Sequence, residues 1–364
     1  MNKASISDKQ GVAIISLFIT GSSSIFAQGL EAKQDLWLSF ILAILLVLPM
    51  VFIFARLHNI FPCKDLFDII EICFGKLVGK IIIILYIWYV YFFASDIFST
   101  YGEFINLVGL PDTPKIVVKI SIGILCIFGV KKGIQVLGRF SEFFIMVPIV
   151  SLVIIIMLLR PSMQINNLQP VLSGGIKPVL QGTFSVFTFP LVQLVVFTMA
   201  FSHFNVNKSS YKVYIIGLLI GATYLAILST TNVLVLGVNR VTDYYFSSHE
   251  TAARISVGGI IQRMEVVIDI TFILGGFIKI SILLICACKG ISKIFGIKDY
   301  RSIITPVTLL TITLSHFQYD SVMYLFEFAR QIWPYYNFPF QVILPIIIWV
   351  TAENKRKILS KQCK

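Results

Sequence analysis

The run 11-GVAIISLFITGSSSIFAQGL-30 is long and apolar enough to cross a membrane, yet Gly21-Ser22-Ser23-Ser24 interrupts it. A second membrane-length run, residues 178–201, is interrupted in the same way at Thr188-Phe189-Pro190. In a bilayer every backbone N–H and C=O needs a partner, so irregular backbone survives only where protein buries it or a cavity hydrates it. The two breaks fall at matching places in two successive sets of five apolar runs, a pattern that points to a binding site near the midplane. The expectation is recognition of a small solute at that site.

Composition places the chain in a membrane. Hydrophobic residues make up 57% of the 364 and charged residues 13%, with a mean hydropathy of +0.88. An average soluble domain carries roughly 25% charged residues. Ten candidate spans can be read at about 11–30, 37–55, 80–102, 115–130, 141–159, 178–201, 212–236, 264–288, 303–317 and 337–352. The net charge of +12 suggests nucleic acid at first sight, but its distribution says otherwise. With the N-terminus in the cytoplasm, the inner segments hold twenty Lys and Arg, from Lys3 and Lys9 to Lys364, and the outer segments nine. The basic excess is therefore a topology signal that puts both termini in the cytoplasm, and no nucleic-acid partner is expected.

A single transmembrane domain is expected, with pseudo-repeats at about 10–160 and 178–352 joined by the polar linker 161–177. Lys3 and Lys9 precede the first apolar run, but no cleavage site follows, so this run is expected to be a span and not a removable signal. The six cysteines, three on spans (Cys126, Cys286, Cys288) and three on the inner side (Cys63, Cys73, Cys363), read as small apolar fillers and form no disulfide framework. Residues 64–78 read as a short interfacial helix, with Asp65, Asp68 and Glu71 recurring on one side. Residues 237–262 read as an outer segment able to hold short helices over the extracellular mouth.

Motifs for catalysis are missing. His249-Glu250 is the only His-Glu pair, and Ala253 stands where a zinc H-E-x-x-H would need its second histidine. His58, His203, His249 and His316 all fall near span ends, away from any metal arrangement. No nucleophile elbow or phosphate loop is present, so neither an enzyme nor a bound cofactor is expected.

The informative residues are those that lipid rejects. Lys279 lies nine residues before Cys288, roughly 13 Å above the inner end of its span at about 1.5 Å per residue. Snorkelling covers about 6 Å of that. The ammonium is expected either to occupy a cation site beside the first break or to pair with an acid, unless a shorter span leaves it at the interface. On the third span Tyr86, Tyr89, Phe93 and Asp96 share one face, which could wall a ligand cavity or serve helix packing. Asp96 and Lys279 are also candidates for coupling to a cation or proton. Glu265 and Asp269 stand one turn apart, with Arg263 or Arg254 as expected partner, and Arg139 with Glu142 reads as an interfacial ion pair.

The breaks explain how a zwitterion could be held. A half-helix starting after Ser22–Ser24 would present free N–H groups to a carboxylate, and the carbonyls ending the preceding half-helix would face an ammonium. Thr188 to Pro190 would add the same chemistry, with Gln193 one turn on. Gly275-Gly276 removes bulk near Lys279, for a ligand or for close packing.

At these residues the chain resembles the endospore germination permease family, the B subunits of spore nutrient germinant receptors, within the amino acid–polyamine–organocation superfamily. The resemblance spans the chain and is carried by ISDKQ (6–10), TGSSS (20–24), NLQPVLSGGIKPVLQG (167–182), QRMEVVIDITFILGGFIKIS (262–281) and the helix between spans two and three. It implies an all-α, LeuT-like fold of five plus five inverted repeats with helices 1 and 6 broken. It also implies assembly with an A subunit and a lipoprotein C subunit in the spore inner membrane, where a germinant, often an amino acid, is sensed. Carried over by position, the ligand contacts would be Gly21, Ser22, Ser23, Ser24, Tyr89, Phe93, Thr188, Phe189, Pro190, Gln193, Gly275, Ile278, Lys279 and Ser281. Two features depart from the family pattern. Ser23 and Gln28 replace a common glycine and a helix-closing proline, and Gln193 replaces a common carboxylate. A nutrient sensor, a secondary transporter and a scaffold with a vestigial pocket are the three readings that follow.

Overall fold

The structure, a computed structural model, describes residues 6–202, 209–256 and 263–362, with side chains as far as Arg356. Lys3, His203, Gln262, Cys363 and Lys364 lie outside the described residues.

Local chemistry starts the chain. In the ISDKQ stretch, Ser7 Oγ accepts from Gln10 N at 3.2 Å while Gln10 Oε1 accepts from Ser7 N at 3.3 Å. This reciprocal capping box opens α1, Asp8–Gly21. The helices that follow are α2 Leu36–Ile60, α3 Leu66–Val108, α4 Lys115–Lys132, α5 Ile134–Phe144 and α6 Met146–Leu159. The second half holds α7 Ile176–Val186, α8 Val196–Ala200, α9 Ser209–Leu236, α10 Val238–Asp243, α11 Ser247–Ala253 and α12 Glu265–Phe295. The chain ends with α13 Ile304–Phe317, α14 Val322–Gln331, α15 Trp333–Phe338 and α16 Leu344–Gln362.

Among the described residues seven helical stretches are long and apolar enough to cross a membrane. The first, fourth and ninth expected spans correspond to α1 with 14 residues, α4 with 18 residues and four lysines, and α13 with 14 residues. Two stretches form the interior. In their most apolar 18 residues, 83% of positions are buried in Ile176–Ala200 and 78% in Glu265–Phe295, against 28% in Trp333–Arg356. α1 packs against α9 and α12, and α12 against α3. The outer helices turn large apolar side chains outward, including Leu45, Ile84, Trp88, Ile124 and Phe128. Such a belt suits lipid and marks an integral membrane protein.

The short helix expected over residues 64–78 is present from Leu66 to the kink at Gly75. Gly75, at φ 77 and ψ −174, breaks α3 into Leu66–Phe74 and the long membrane portion. Its acidic side faces the C-terminal end of α12, where Lys293 Nζ meets Asp68 at 2.6 Å and Glu71 at 2.9 Å. The segment expected to lie outside also holds, among its described residues, the short helices α10 and α11.

Two ion-pair expectations are corrected. Asp269 takes His249 Nδ1 at 3.0 Å in place of Arg263 or Arg254, because α11 packs against the N-terminal end of α12. Among the described residues no ion pair joins Arg139 to Glu142, although i, i+3 spacing permits one.

Candidate functional site

α1 stops where small hydroxyl residues can satisfy its last carbonyls. Ser23 N and Ser24 N both donate to Thr20 O, at 3.2 and 2.9 Å, and Thr20 Oγ1 donates back to Ser16 O at 3.0 Å. Past the break the structure departs from expectation. No α-helix follows: residues 22–29 run through turns and irregular backbone to a 3-10 turn at Leu30–Asp35. The reason is that distant side chains satisfy this backbone. Ala27 N donates to Ser247 Oγ at 2.8 Å, Gln28 N to Ser229 Oγ at 3.1 Å, and Ile25 O accepts from Ser248 N at 3.0 Å. Two N–H groups past the break, those of Ala27 and Gln28, are thus already used, and no α-helix N-terminus opens there.

The second break matches its expectation. α7 ends at Val186, a wider turn spans Phe187–Leu191, and Phe189 is extended at φ −143 and ψ 114. Pro190 has no N–H to continue the helix, and Thr188 Oγ1 donates to Phe184 O at 2.9 Å. A 3-10 turn at Val192–Val195 leads into α8.

Lys279 joins the two breaks. Fully buried, its Nζ donates to Ser22 Oγ at 2.8 Å and to Gln193 Oε1 at 2.9 Å. The rings of Phe18, Phe93 and Phe189 surround it at 4.9, 5.0 and 4.9 Å to their centroids. Among the described residues no carboxylate pairs with it: Asp96 instead accepts from Tyr319 OH at 2.6 Å. Lys279 is thus held directly by neutral oxygens and aromatic rings, with Asp96 beyond ion-pairing distance but close enough to act on it electrostatically.

Gly275-Gly276 serves packing. A Cβ on Gly21 would lie 2.4 Å from Gly275 C, so α1 and α12 touch backbone to backbone. A Cβ on Gly276 would lie 1.6 Å from the Tyr101 hydroxyl, whose ring stacks on Phe272 at 4.1 Å. Tyr101 donates to the Phe272 carbonyl. This close approach brings Lys279 within reach of Ser22.

Outside this centre lies a cavity of ≈80 Å³, large enough for several waters or the polar part of a small solute. Ser22, Phe189 and Asp96 are the expected site residues that line it. Phe93, Gln193 and Lys279 gather behind Ser22, while Gly21, Ser23, Ser24, Thr188 and Pro190 form the breaks themselves. Tyr89 stands one layer away, stacked on Phe340 at 5.0 Å and accepting from Gln341 Nε2 at 3.0 Å. Ile278 is buried in α12, and Ser281 lies one turn past Phe277, whose carbonyl meets Cys126 of α4. Neither lines the cavity.

Sequence reasoning missed the rest of the wall, which includes Phe26, Glu31, Tyr244, Phe326, Arg330 and Trp333, and Gln28, noted only as a departure. Gln28 is 5% exposed, and its Nε2 has no partner. Glu31 Oε2 is also buried without one. Buried polar atoms are usually satisfied, so an orphan donor and an orphan acceptor on one cavity wall mark it as built for a polar occupant. Among the described residues no group of three His, Cys, Asp or Glu gathers as a metal site would.

A sequence profile described as "Spore germination protein" matches residues 5–321. The chain belongs to the spore germination protein family. Spore germination protein KB of Bacillus subtilis (strain 168) is 27% identical, over 99% of this chain and 98% of its own length. Spore germination protein A2 of the same organism is 23% identical over 97% and 96%. Among solved structures the fold resembles Mhp1, a nucleobase-cation-symport-1 family transporter solved in a closed conformation with bromovinylhydantoin bound. The TM-score is 0.63 at 13% identity, covering 88% of this chain and 74% of that one. The resemblance to germination permeases read from the sequence is thus borne out, and the fold is that of a transporter.

Proposed function

We propose that this chain is the solute-sensing membrane subunit of a spore germination receptor. It binds a small polar solute, an amino acid by chemical fit, in the cavity that ends at the two breaks. The observation that carries this reading is that cavity: both halves of the chain wall it, Lys279 ties its floor to both breaks, and Gln28 and Glu31 offer it unpartnered polar atoms. Family membership supports the role in germination. The family resemblance supplies the A and C subunits as partners and the spore inner membrane as location. Ten spans in a five-plus-five repeat, at about 10–160 and 178–352, complete the proposal, with cytoplasmic termini.

A ligand shifts a conformational equilibrium only by its difference in affinity between the states. Sensing therefore requires that the solute be held better in one state, and the breaks are where backbone geometry can change. The likeness to a transporter fold favours a second reading, solute transport, in which Asp96 or Lys279 would couple a gradient.

The test is thermal unfolding of the full chain against a panel of amino acids, nucleosides and sugars. A solute at 100 times its Kd stabilises by about 2.7 kcal/mol. A hit weakened at least about tenfold by Gln28→Leu, the cost of about one hydrogen bond, supports the site. A hit indifferent to Gln28→Leu and Asp96→Asn places binding elsewhere, and no hit at all favours a scaffold. Uptake of the hit into vesicles then separates transport from sensing.

A further inference from the structure

The Lys279 ammonium sits in a setting made for it, and the setting is richer than a structural lysine needs. Two oxygens, Ser22 Oγ and Gln193 Oε1, accept from it at 2.8 and 2.9 Å. Phe18, Phe93 and Phe189 present ring centroids at 4.9 to 5.0 Å, the distance at which the negative face of an arene attracts a cation. Rings and oxygens come from α1, α3, both breaks and the turn after the second one. They converge on one atom, and among the described residues no carboxylate lies within ion-pairing distance of it, Asp96 acting on it only from farther off.

This donor set selects one class of occupant. A hard metal cation gathers about six or more oxygens, and here there are two. Three ring faces and two acceptors suit a primary alkylammonium, which has three N–H donors and an apolar stem. We propose that these five groups form a primary-ammonium site whose resident is the chain's own Lys279, and that a free alkylammonium replaces it once the side chain is cut back. Ser22 and Phe189 also line the outer cavity, so the vacated space opens onto a route of entry. A consequence for solute recognition rests on the function proposed above: with the cation supplied by the chain, solute binding needs no sodium or potassium.

The experiment uses the full chain in detergent and measures its melting temperature. Lys279→Ala removes three methylenes and the ammonium, the atoms of n-propylammonium. In that variant, n-propylammonium chloride raises Tm saturably by about 2–4 °C or more, 1-propanol does not, and the wild type responds to neither. Lys279→Met, which refills the cage with an apolar stem, responds to neither. Equal rescue by 1-propanol, a response of the Met variant, or no response of the Ala variant overturns the proposal. If Lys279→Ala yields monodisperse protein only when purified in propylammonium, and not in propanol, the site is supported; recovery in neither buffer overturns it. None of these readings needs a germinant, so a failed solute screen and a failed ammonium site are told apart.

Discussion

At the scale of single residues, the centre depends on contacts that leave no room. A methyl group at Gly21 meets the Gly275 carbonyl carbon at 2.4 Å, and backbone cannot swing aside. Gly21→Ala is therefore expected to cost roughly 1–3 kcal/mol or more, read by thermal unfolding. An unchanged Tm would mean that α1 and α12 do not touch there. Gln193→Leu takes an acceptor from a buried ammonium and should cost about 1.5–3 kcal/mol, the range for hydrogen bonds to charged groups. Gln193→Glu keeps an oxygen in place and adds a counter-charge, so it should lose clearly less than Gln193→Leu. If the two variants melt alike, Lys279 is not charged in the folded protein.

At the scale of elements, a glycine and a histidine set two joints. Gly75 holds φ 77 and ψ −174, a region that only glycine adopts freely, and a Cβ there would meet no atom within 4 Å. Gly75→Ala thus isolates backbone strain, expected at about 1–3 kcal/mol, and should loosen the interfacial helix from α12. Proteolysis between residues 60 and 80 would report it. Near the N-terminal end of α12, burial pulls the His249 pKa down, but the hydrogen bond and charge of Asp269, with the charges of Glu250 and Glu265, outweigh it, so the net shift is upward from about 6.5. A raised folded-state pKa gives stability that is complete below about pH 6.5 and is lost as pH rises through the folded value. The wild type should accordingly lose more Tm than His249→Gln between pH 6 and pH 9. Parallel pH profiles would remove the pair as a clasp between α11 and α12.

For the whole molecule, the asymmetry of Lys and Arg predicts which side each loop faces. Cys63 is exposed on the expected inner side, and Asn239 is exposed on the expected outer side. In intact cells a membrane-impermeant maleimide should label Asn239→Cys and spare Cys63; the reverse pattern would invert the topology. Seven of the expected spans, the two breaks and this charge bias were legible in the sequence because each depends on a residue and its near neighbours. Lipid rejects charge, glycine and serine end a helix, and proline lacks an N–H, wherever the chain later goes. What residues 22–29 do after the break was not legible. Their backbone is satisfied by Ser229, Ser247 and Ser248, some two hundred residues on, so local propensity for a helix was overridden. The partners of Lys279 belong to the same kind of fact. Sequence said that the charge needs company, but only the packing of α12 against α1 and the second break, set by backbone contact at Gly21 and Gly275, decided that Ser22, Gln193 and three phenyl rings provide it.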